Sequence, residues 1–153
     1  MGLRDRVNTA LKQAMKDKAT TRLGTLRLVN AAIKDQDIEA RGNDSESVGV
    51  SDTDILAILA KMSKQRLESV RAYEEGGRLD LAEREQSEIS VIEEFLPRKM
   101  SDAEVAEAIE TAIAEAEATS IRDMGKVIGK LKSQYTGQMD FGRVGPMVKA
   151  QLG

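Results

Sequence analysis

Residues 95–104 read Phe-Leu-Pro-Arg-Lys-Met-Ser-Asp-Ala-Glu, and they hold one helix end and one helix start. Pro97 pushes Leu96 out of the helical region, so a preceding helix should stop here. Ser101 and Glu104 have the spacing of a capping box, in which each side chain accepts a hydrogen bond from the other residue's backbone N–H. This stretch therefore predicts a domain boundary, with one unit over residues 1–97 and a second over residues 98–153.

On both sides of the boundary, apolar residues recur at spacings of three and four, which is typical of amphipathic helices. No stretch shows the alternation of a strand. The predicted helices cover residues 3–16, 19–39, 51–75, 79–96, 101–118 and 120–134, with a last short helix capped by Asp140 and a polar loop at 42–50. We expect an all-α protein with an N-terminal antiparallel helical bundle and a small C-terminal three-helix tail domain.

The composition excludes several kinds of site. The 153 residues contain no cysteine and no histidine, which removes disulfides, thiolate chemistry and imidazole ligands or bases. The acidic runs at 35–37 and 44–46 lack the glycine and the closing glutamate of a calcium loop. Isolated serines and scattered carboxylates form no catalytic constellation. We therefore expect no catalytic residue, no metal and no cofactor.

No apolar run approaches the roughly 20 residues that a membrane-spanning helix needs. The N-terminus also lacks the apolar core of a signal peptide. From these absences we expect a cytoplasmic protein with no membrane partner.

Charge is unevenly distributed along the chain, although the net charge is only −3. Residues 1–34 contain eight Lys/Arg and two acids, and residues 119–153 contain six and two. Residues 101–118 contain six acids and no base. Basic ends of this kind favour an anionic partner, because charge asymmetry acts on partner choice more than net charge does.

The C-terminal cations are the candidate phosphate-binding residues. Lys126 and Lys130 are four apart and share a helix face, which Arg122 extends by one turn. The full candidate RNA-binding set is Arg122, Lys126, Lys130, Lys132, Arg143 and Lys149. Lysines and arginines next to exposed backbone amides suit phosphate contacts.

Gly125 and Gly129 allow two interpretations. Three residues separate them and Leu131 follows Lys130, whereas a nucleotide-binding loop has four intervening residues and Ser or Thr after the lysine. Two glycines at this spacing on a helix indicate either close approach of a neighbouring helix or contact with a ligand.

The C-terminal sequence also carries a motif of specific residues: Asp123, Met124, Gly125, Lys126, Val127 and Gly129, then Gly137 and Asp140. With Phe95-Leu96-Pro97 and Gly77-Arg78 further upstream, it resembles the GatB/YqeY family, and specifically its stand-alone YqeY-like proteins. The sequence departs from the family pattern at Gln138-Met139 and Phe141, which predicts a differently packed turn.

The resemblance implies that the tail domain is the one that ends the B subunit of glutamine-dependent aminoacyl-tRNA amidotransferase, where it helps to hold tRNA. It implies a tRNA-binding or amidotransferase-associated accessory protein. The expected partners are tRNA and components of the amidotransferase or of a synthetase. The family label is carbon–nitrogen ligase with glutamine as amide donor. We interpret this label as describing the amidotransferase system that the protein assists, and not a reaction that the protein itself catalyses.

The alternative is a helical protein-interaction adaptor without nucleic-acid binding. The inward positions of the third helix include Arg66 and Ser69, which form a polar stripe against the fourth helix. Either this stripe or the acidic fifth helix would dock the partner. Within the chain, Arg66 is predicted to pair with Glu85 or Glu88.

Overall fold

The computed structural model describes residues 2–43 and 49–153, and this part of the chain is all-α. The elements are α1 (Leu3–Lys16), α2 (Thr20–Asn43), α3 (Asp52–Glu75), α4 (Leu79–Glu93), α5 (Asp102–Glu115), a 3-10 turn (Ile121–Asp123), α6 (Met124–Tyr135) and α7 (Phe141–Leu152). Most of the predicted loop at 42–50, and the acidic run at 44–46, lie outside the described residues. The predicted fold class is confirmed.

The chain divides into two compact units, one ending at Leu96 and the other running from Pro97 to Gly153. In the first unit, α1 packs on α2 and α3 on α4, as antiparallel hairpins. Its core is the apolar stripe of each helix, with Leu26, Ile33, Leu59 and Ile92 at 1% exposure or less. Full burial of each such side chain contributes roughly 1.5–3 kcal/mol.

Two ion pairs fix the hairpins of this unit. The guanidinium of Arg4 donates to both carboxylate oxygens of Asp37 at 2.8 Å, and the N–H of Val50 donates to Asp37 at 2.9 Å. These bonds tie the start of α1 to the end of α2 and to the segment before α3. In the other hairpin, Arg66 Nε donates to Glu88 Oε2 at 2.9 Å, so the predicted cross-helix pair forms with Glu88.

The second unit is a three-helix bundle in which α6 packs against both α5 and α7. Ile109, Val127, Leu131 and Val148 are fully buried and form its centre. The predicted capping box is confirmed, since the Ser101 side chain accepts from the N–H of Glu104 and Glu104 accepts from the N–H of Ser101.

Two helix ends differ from the predicted positions for local reasons. α5 stops at Glu115, because Glu117 takes a left-handed φ of 53° and the N–H of Ala118 returns to the carbonyl of Ile113. The predicted helix over residues 120–134 begins later than expected, although Ser120 has the chemistry of an N-cap. Its side chain makes no capping bond, and the chain forms a 3-10 turn through Asp123 before α6 begins.

Candidate nucleic-acid interface

The buried face of α6 determines which of its residues point outward. Val127 and Leu131 are completely buried, and Met124 and Ile128 pack partly buried against the same core. Gly125 and Gly129 lie on the opposite side, since each residue turns the helix by about 100°. Both glycines are exposed.

Neither glycine serves close packing within the chain. A Cβ added at Gly125 or Gly129 would meet no atom within 4 Å. The interpretation that these glycines admit a neighbouring helix is therefore wrong. Because glycine inside a helix costs about 1 kcal/mol relative to alanine, their presence on an open face has no stabilising purpose in the unit. Ligand contact remains the prediction for this pair.

Lys126 lies on the exposed side beside both glycines. No carboxylate within residues 2–43 and 49–153 is at ion-pair distance from its ammonium group or from the exposed Arg122 of the 3-10 turn. The nearest acid in sequence, Asp123, accepts a hydrogen bond from the N–H of Thr119 at 3.0 Å. That bond, reinforced by the charge of Lys126, lowers the pKa of Asp123.

Lys130 is partly neutralised by the helix before it. Its Nζ lies 3.1 Å from Glu115 Oε2 of α5, and its side chain is 32% exposed. Lys130 therefore borders the glycine face on the α5 side. The carboxylate of Glu115 partly neutralises its positive charge.

Lys132 borders the same face on the opposite flank. Its Nζ lies 5.9 Å from the centroid of the Phe141 ring at the start of α7, a cation–π contact. The side chain is exposed and its positive charge has no carboxylate partner among the described residues. We define the α6 surface as Arg122, Gly125, Lys126, Gly129, Lys130 and Lys132.

The two cations of α7 lie on different sides of that helix. Phe141 and Gly145 mark the side toward α6, since a Cβ at Gly145 would meet Met124 at 3.8 Å. Lys149 follows Gly145 by four residues and shares this side. Arg143 is two residues from each marker, a rotation of about 200°, so it points away from α6. The six candidate residues therefore do not form one continuous surface. Arg143 lies on the side of α7 that faces away from the other five.

Other motif residues hold the local fold. Gly137 is buried with a φ of 87°, a left-handed conformation that glycine adopts at no steric cost. The Asp140 side chain caps α7 by accepting the N–H of Gly142 at 2.9 Å. Met139 and Phe141, where the sequence departs from the family pattern, pack partly buried against the core of the unit.

Two site classes receive no support from the geometry. Within residues 2–43 and 49–153, no group of three or more acidic side chains is arranged to hold a metal ion. None of the helices in this part of the chain is both long and apolar enough to span a bilayer.

Comparison with known proteins finds several relatives. A Lachancea thermotolerans protein named altered inheritance of mitochondria protein 41, mitochondrial, is 32% identical over 107 residues, or 69% of this chain and 54% of that protein. The protein of the same name from Kluyveromyces lactis is 32% identical over 79% of this chain and 64% of its own length. An uncharacterized Schizosaccharomyces pombe protein is 31% identical over 65% of this chain and 73% of its length. The chain thus spans about half the length of the first of these curated relatives.

These names contradict the expected cytoplasmic location. The relatives from Lachancea thermotolerans, Meyerozyma guilliermondii, Eremothecium gossypii and Kluyveromyces lactis are all named as mitochondrial proteins. The prediction rested on missing apolar segments, which exclude a spanning helix but do not distinguish one aqueous compartment from another. The prediction of a cytoplasmic protein is therefore wrong.

The family assignment covers nearly the whole chain. The family model described as Yqey-like protein matches residues 4–152, which include every helix of the second unit and all but the first residue of α1. The resemblance seen in the motif around Gly125 and Lys126 is thereby confirmed, and this chain belongs to the Yqey-like protein family.

Proposed function

We propose that this chain is a tRNA-binding accessory protein that serves an amidotransferase system. The observation that carries the proposal is the α6 surface, where two glycines without any packing role lie between cations on both flanks. The family resemblance to the amidotransferase tail domain supports tRNA as the nucleic acid.

The chemistry of the α6 surface fits a phosphate backbone. Gly125 and Gly129 leave the helix backbone uncovered, so a sugar–phosphate chain approaches more closely than it would over larger side chains. Arg122, Lys126 and Lys132 then donate to phosphate oxygens from beside the glycines. Because the chain has only two tyrosines, two phenylalanines and no tryptophan, base stacking contributes little. The contacts position RNA rather than read its sequence.

The ligase label describes the partner system in this proposal. A chain without histidine or cysteine lacks the commonest general base and the thiol nucleophile. We assign amide transfer to the partner enzyme and RNA binding to this protein. Pure protein mixed with glutamine, ATP and misacylated tRNA should yield no amide product. Formation of product would contradict this division of roles.

The adaptor alternative has less support from the geometry. The polar stripe that was to dock a partner is satisfied inside the α3–α4 hairpin, since Arg66 and Glu88 bind each other at 15% and 18% side-chain exposure. Arg66 also donates to the carbonyl of Met62 at 3.3 Å. On the acidic helix α5, Glu115 is engaged by Lys130. RNA binding is therefore the first function to test.

The test is a titration of labelled tRNA with the full chain at several salt concentrations. Four to five phosphate contacts from the second unit contribute a log–log slope of roughly −3.6 to −4.5. Lys126→Gln should reduce the magnitude of the slope by about 1, because one contact is lost. Arg143→Gln is the matched control in the same unit, since Arg143 points away from α6, and it should leave the slope unchanged. Absence of binding, or equal effects of both variants, would overturn the proposal.

A further inference from the structure

A row of cations also lies on the N-terminal unit, and none of its residues belongs to the α6 surface. On α2, the row consists of Arg27, Lys34 and Arg41, which are seven residues apart. At about 100° and 1.5 Å per residue, the three lie within about 40° of one another around the helix and span roughly 21 Å. All three side chains are exposed.

The Arg4–Asp37 ion pair shows that α1 borders this row. Asp37 lies three residues after Lys34 and four before Arg41, so it belongs to the same flank of α2. Arg4 of α1 binds that carboxylate. Since α1 and α2 are antiparallel, exposed Lys12, eight residues beyond Arg4, lies opposite the part of α2 between Arg27 and Lys34. We name Lys12, Arg27, Lys34 and Arg41 the basic row.

The cations of the basic row form no ion pair with the described residues, although the charge of Arg41 helps to lower the pKa of Asp37. In the part of the chain that the structure describes, no carboxylate lies at ion-pair distance from any of its four side chains. The acids on these two helices are Asp5 on α1 and Asp35, Asp37 and Glu39 on α2. Asp37 is held by Arg4, Asp35 is turned about 100° from Lys34, and Glu39 is turned about 140° from Lys34.

Three other bases of the first two helices are engaged elsewhere, while exposed Lys16, four residues after Lys12, shares its side of α1. Arg22 pairs with Glu94, and the guanidinium of Arg6 lies 5.6 Å from the centre of the Phe95 ring. The unpaired cations are thus concentrated on one side of the hairpin. The paired ones face α4 or the loop before α3.

We propose that the basic row is a second binding surface for the phosphate backbone of RNA. This inference rests on the proposed function and extends it to the N-terminal unit. Nucleic acid presents phosphates at short, regular intervals. Cations about 10 Å apart along a helix can therefore each contact a phosphate group.

An anionic membrane is a poorer fit for the basic row. Val7, Leu26 and Val29 are completely buried, so the apolar faces of α1 and α2 are used in the core and none remains to enter a bilayer. The exposed apolar residues Met15, Leu28 and Ile38 lie singly and form no continuous face. Binding to this row is therefore electrostatic, which is the mode that nucleic-acid backbones support.

The experiment compares two double variants of the full chain in the tRNA titration across salt concentrations. Arg27→Gln/Lys34→Gln removes two cations of the basic row. Arg71→Gln/Arg84→Gln removes the same charge from exposed positions on α3 and α4. The first should reduce the magnitude of the log–log slope by about 1.4 to 1.8 and weaken binding roughly tenfold at low salt. The second should leave both unchanged.

Three results would overturn the inference. Equal effects of the two double variants would show a response to net charge alone. An unchanged slope in Arg27→Gln/Lys34→Gln, with the expected loss in Lys126→Gln, would refute the basic row and leave the proposed function standing. Binding to phosphatidylserine vesicles that Arg27→Gln/Lys34→Gln abolishes, without change in tRNA binding, would assign the row to a membrane. Thermal unfolding of each variant checks that the fold is retained.

Discussion

Arg4 and Asp37 bind through two parallel hydrogen bonds, each 2.8 Å long, across 33 positions of sequence. The same carboxylate accepts the N–H of Val50, and the Arg4 guanidinium lies 3.4 Å from the Val50 carbonyl. One acidic side chain thus joins three segments of the N-terminal unit. Replacement of Asp37 should therefore lower the stability of the whole unit.

Asp37→Asn should lower the free energy of unfolding by about 1–3 kcal/mol, because charge-assisted hydrogen bonds to Arg4 and Val50 are lost. Urea denaturation followed by circular dichroism measures this loss. Asp35→Asn is the matched control, since Asp35 is exposed on the same helix, and it should change stability by less than about 0.5 kcal/mol. Equal effects of the two variants would show that the three-way contact is unimportant.

Stability should also fall in acid through two carboxylates. The bonds from Arg4 lower the pKa of Asp37 from 3.8 to about 2, and those from Arg98 lower the pKa of Glu104 from 4.5 to about 2. Both pKa values are depressed by folding, so the stabilisation is complete above the ordinary values and is lost as the pH falls toward 2.

Denaturation midpoints at a series of pH values between about 5 and 2 test this prediction. The wild-type midpoint should decrease across the series. Asp37→Asn should show a shallower decrease, because its contribution no longer titrates. An identical pH profile for the two proteins would contradict the role of Asp37.

Arg66→Met should destabilise the α3–α4 hairpin by about 1–3 kcal/mol, because it leaves the Glu88 carboxylate partly buried without its partner. Arg66→Met/Glu88→Leu should recover most of the loss, since removing both charges removes the desolvation cost. Thermal unfolding of the four proteins in a double-mutant cycle measures the coupling. If the destabilisations of the two single variants simply add in the double variant, Arg66 and Glu88 do not stabilise the hairpin through their contact.

Gly125→Ala/Gly129→Ala should raise stability by up to about 2 kcal/mol while weakening tRNA binding. The first effect follows from helix propensity on an open face, and the second from methyl groups that block the backbone of α6. Gly24→Ala is the matched control on α2, because a Cβ there also meets nothing within 4 Å. It should stabilise the protein without changing RNA affinity. Unchanged affinity in the double variant would remove the glycines from the interface.

Glu115→Gln should strengthen tRNA binding about two- to threefold, because Lys130 is released from its 3.1 Å ion pair. Anisotropy titration with labelled tRNA measures the change. Glu110→Gln removes the same charge from an exposed position of α5 that makes no ion pair within the described residues. A gain of the same size in Glu110→Gln would indicate a general effect of charge.

Much of the fold was predictable from local sequence. Pro97 and Ser101 each have a backbone consequence that depends only on near neighbours, so the end of one unit and the start of α5 followed from them. The buried stripes of α1 and α2 followed from the spacing of their apolar residues. The start of α6 did not, because Ser120 and Asp123 both have the chemistry of a cap and the choice between them depends on the loop after α5.

The site was harder to predict, because it depends on how helices rotate against one another. Gly125 and Gly129 show the same spacing whether they face a helix or solvent. Only the burial of Val127 and Leu131 separates the two cases. The position of Arg143 depended on which side of α7 meets α6. Sequence reasoning missed Glu115, since its contact with Lys130 crosses a turn whose geometry no local pattern specifies.

The division of the chain at Leu96 leaves the second unit, Pro97–Gly153, with 57 residues and a core of its own. A domain of about 60 residues buries only about 60% of the surface that its unfolded chain exposes, so its intrinsic stability is modest. Occupancy by a ligand then contributes a large share of the total, as RT ln(1 + [L]/Kd). RNA bound at the α6 surface, as proposed, would make the second unit more resistant to proteolysis and heat than it is without RNA.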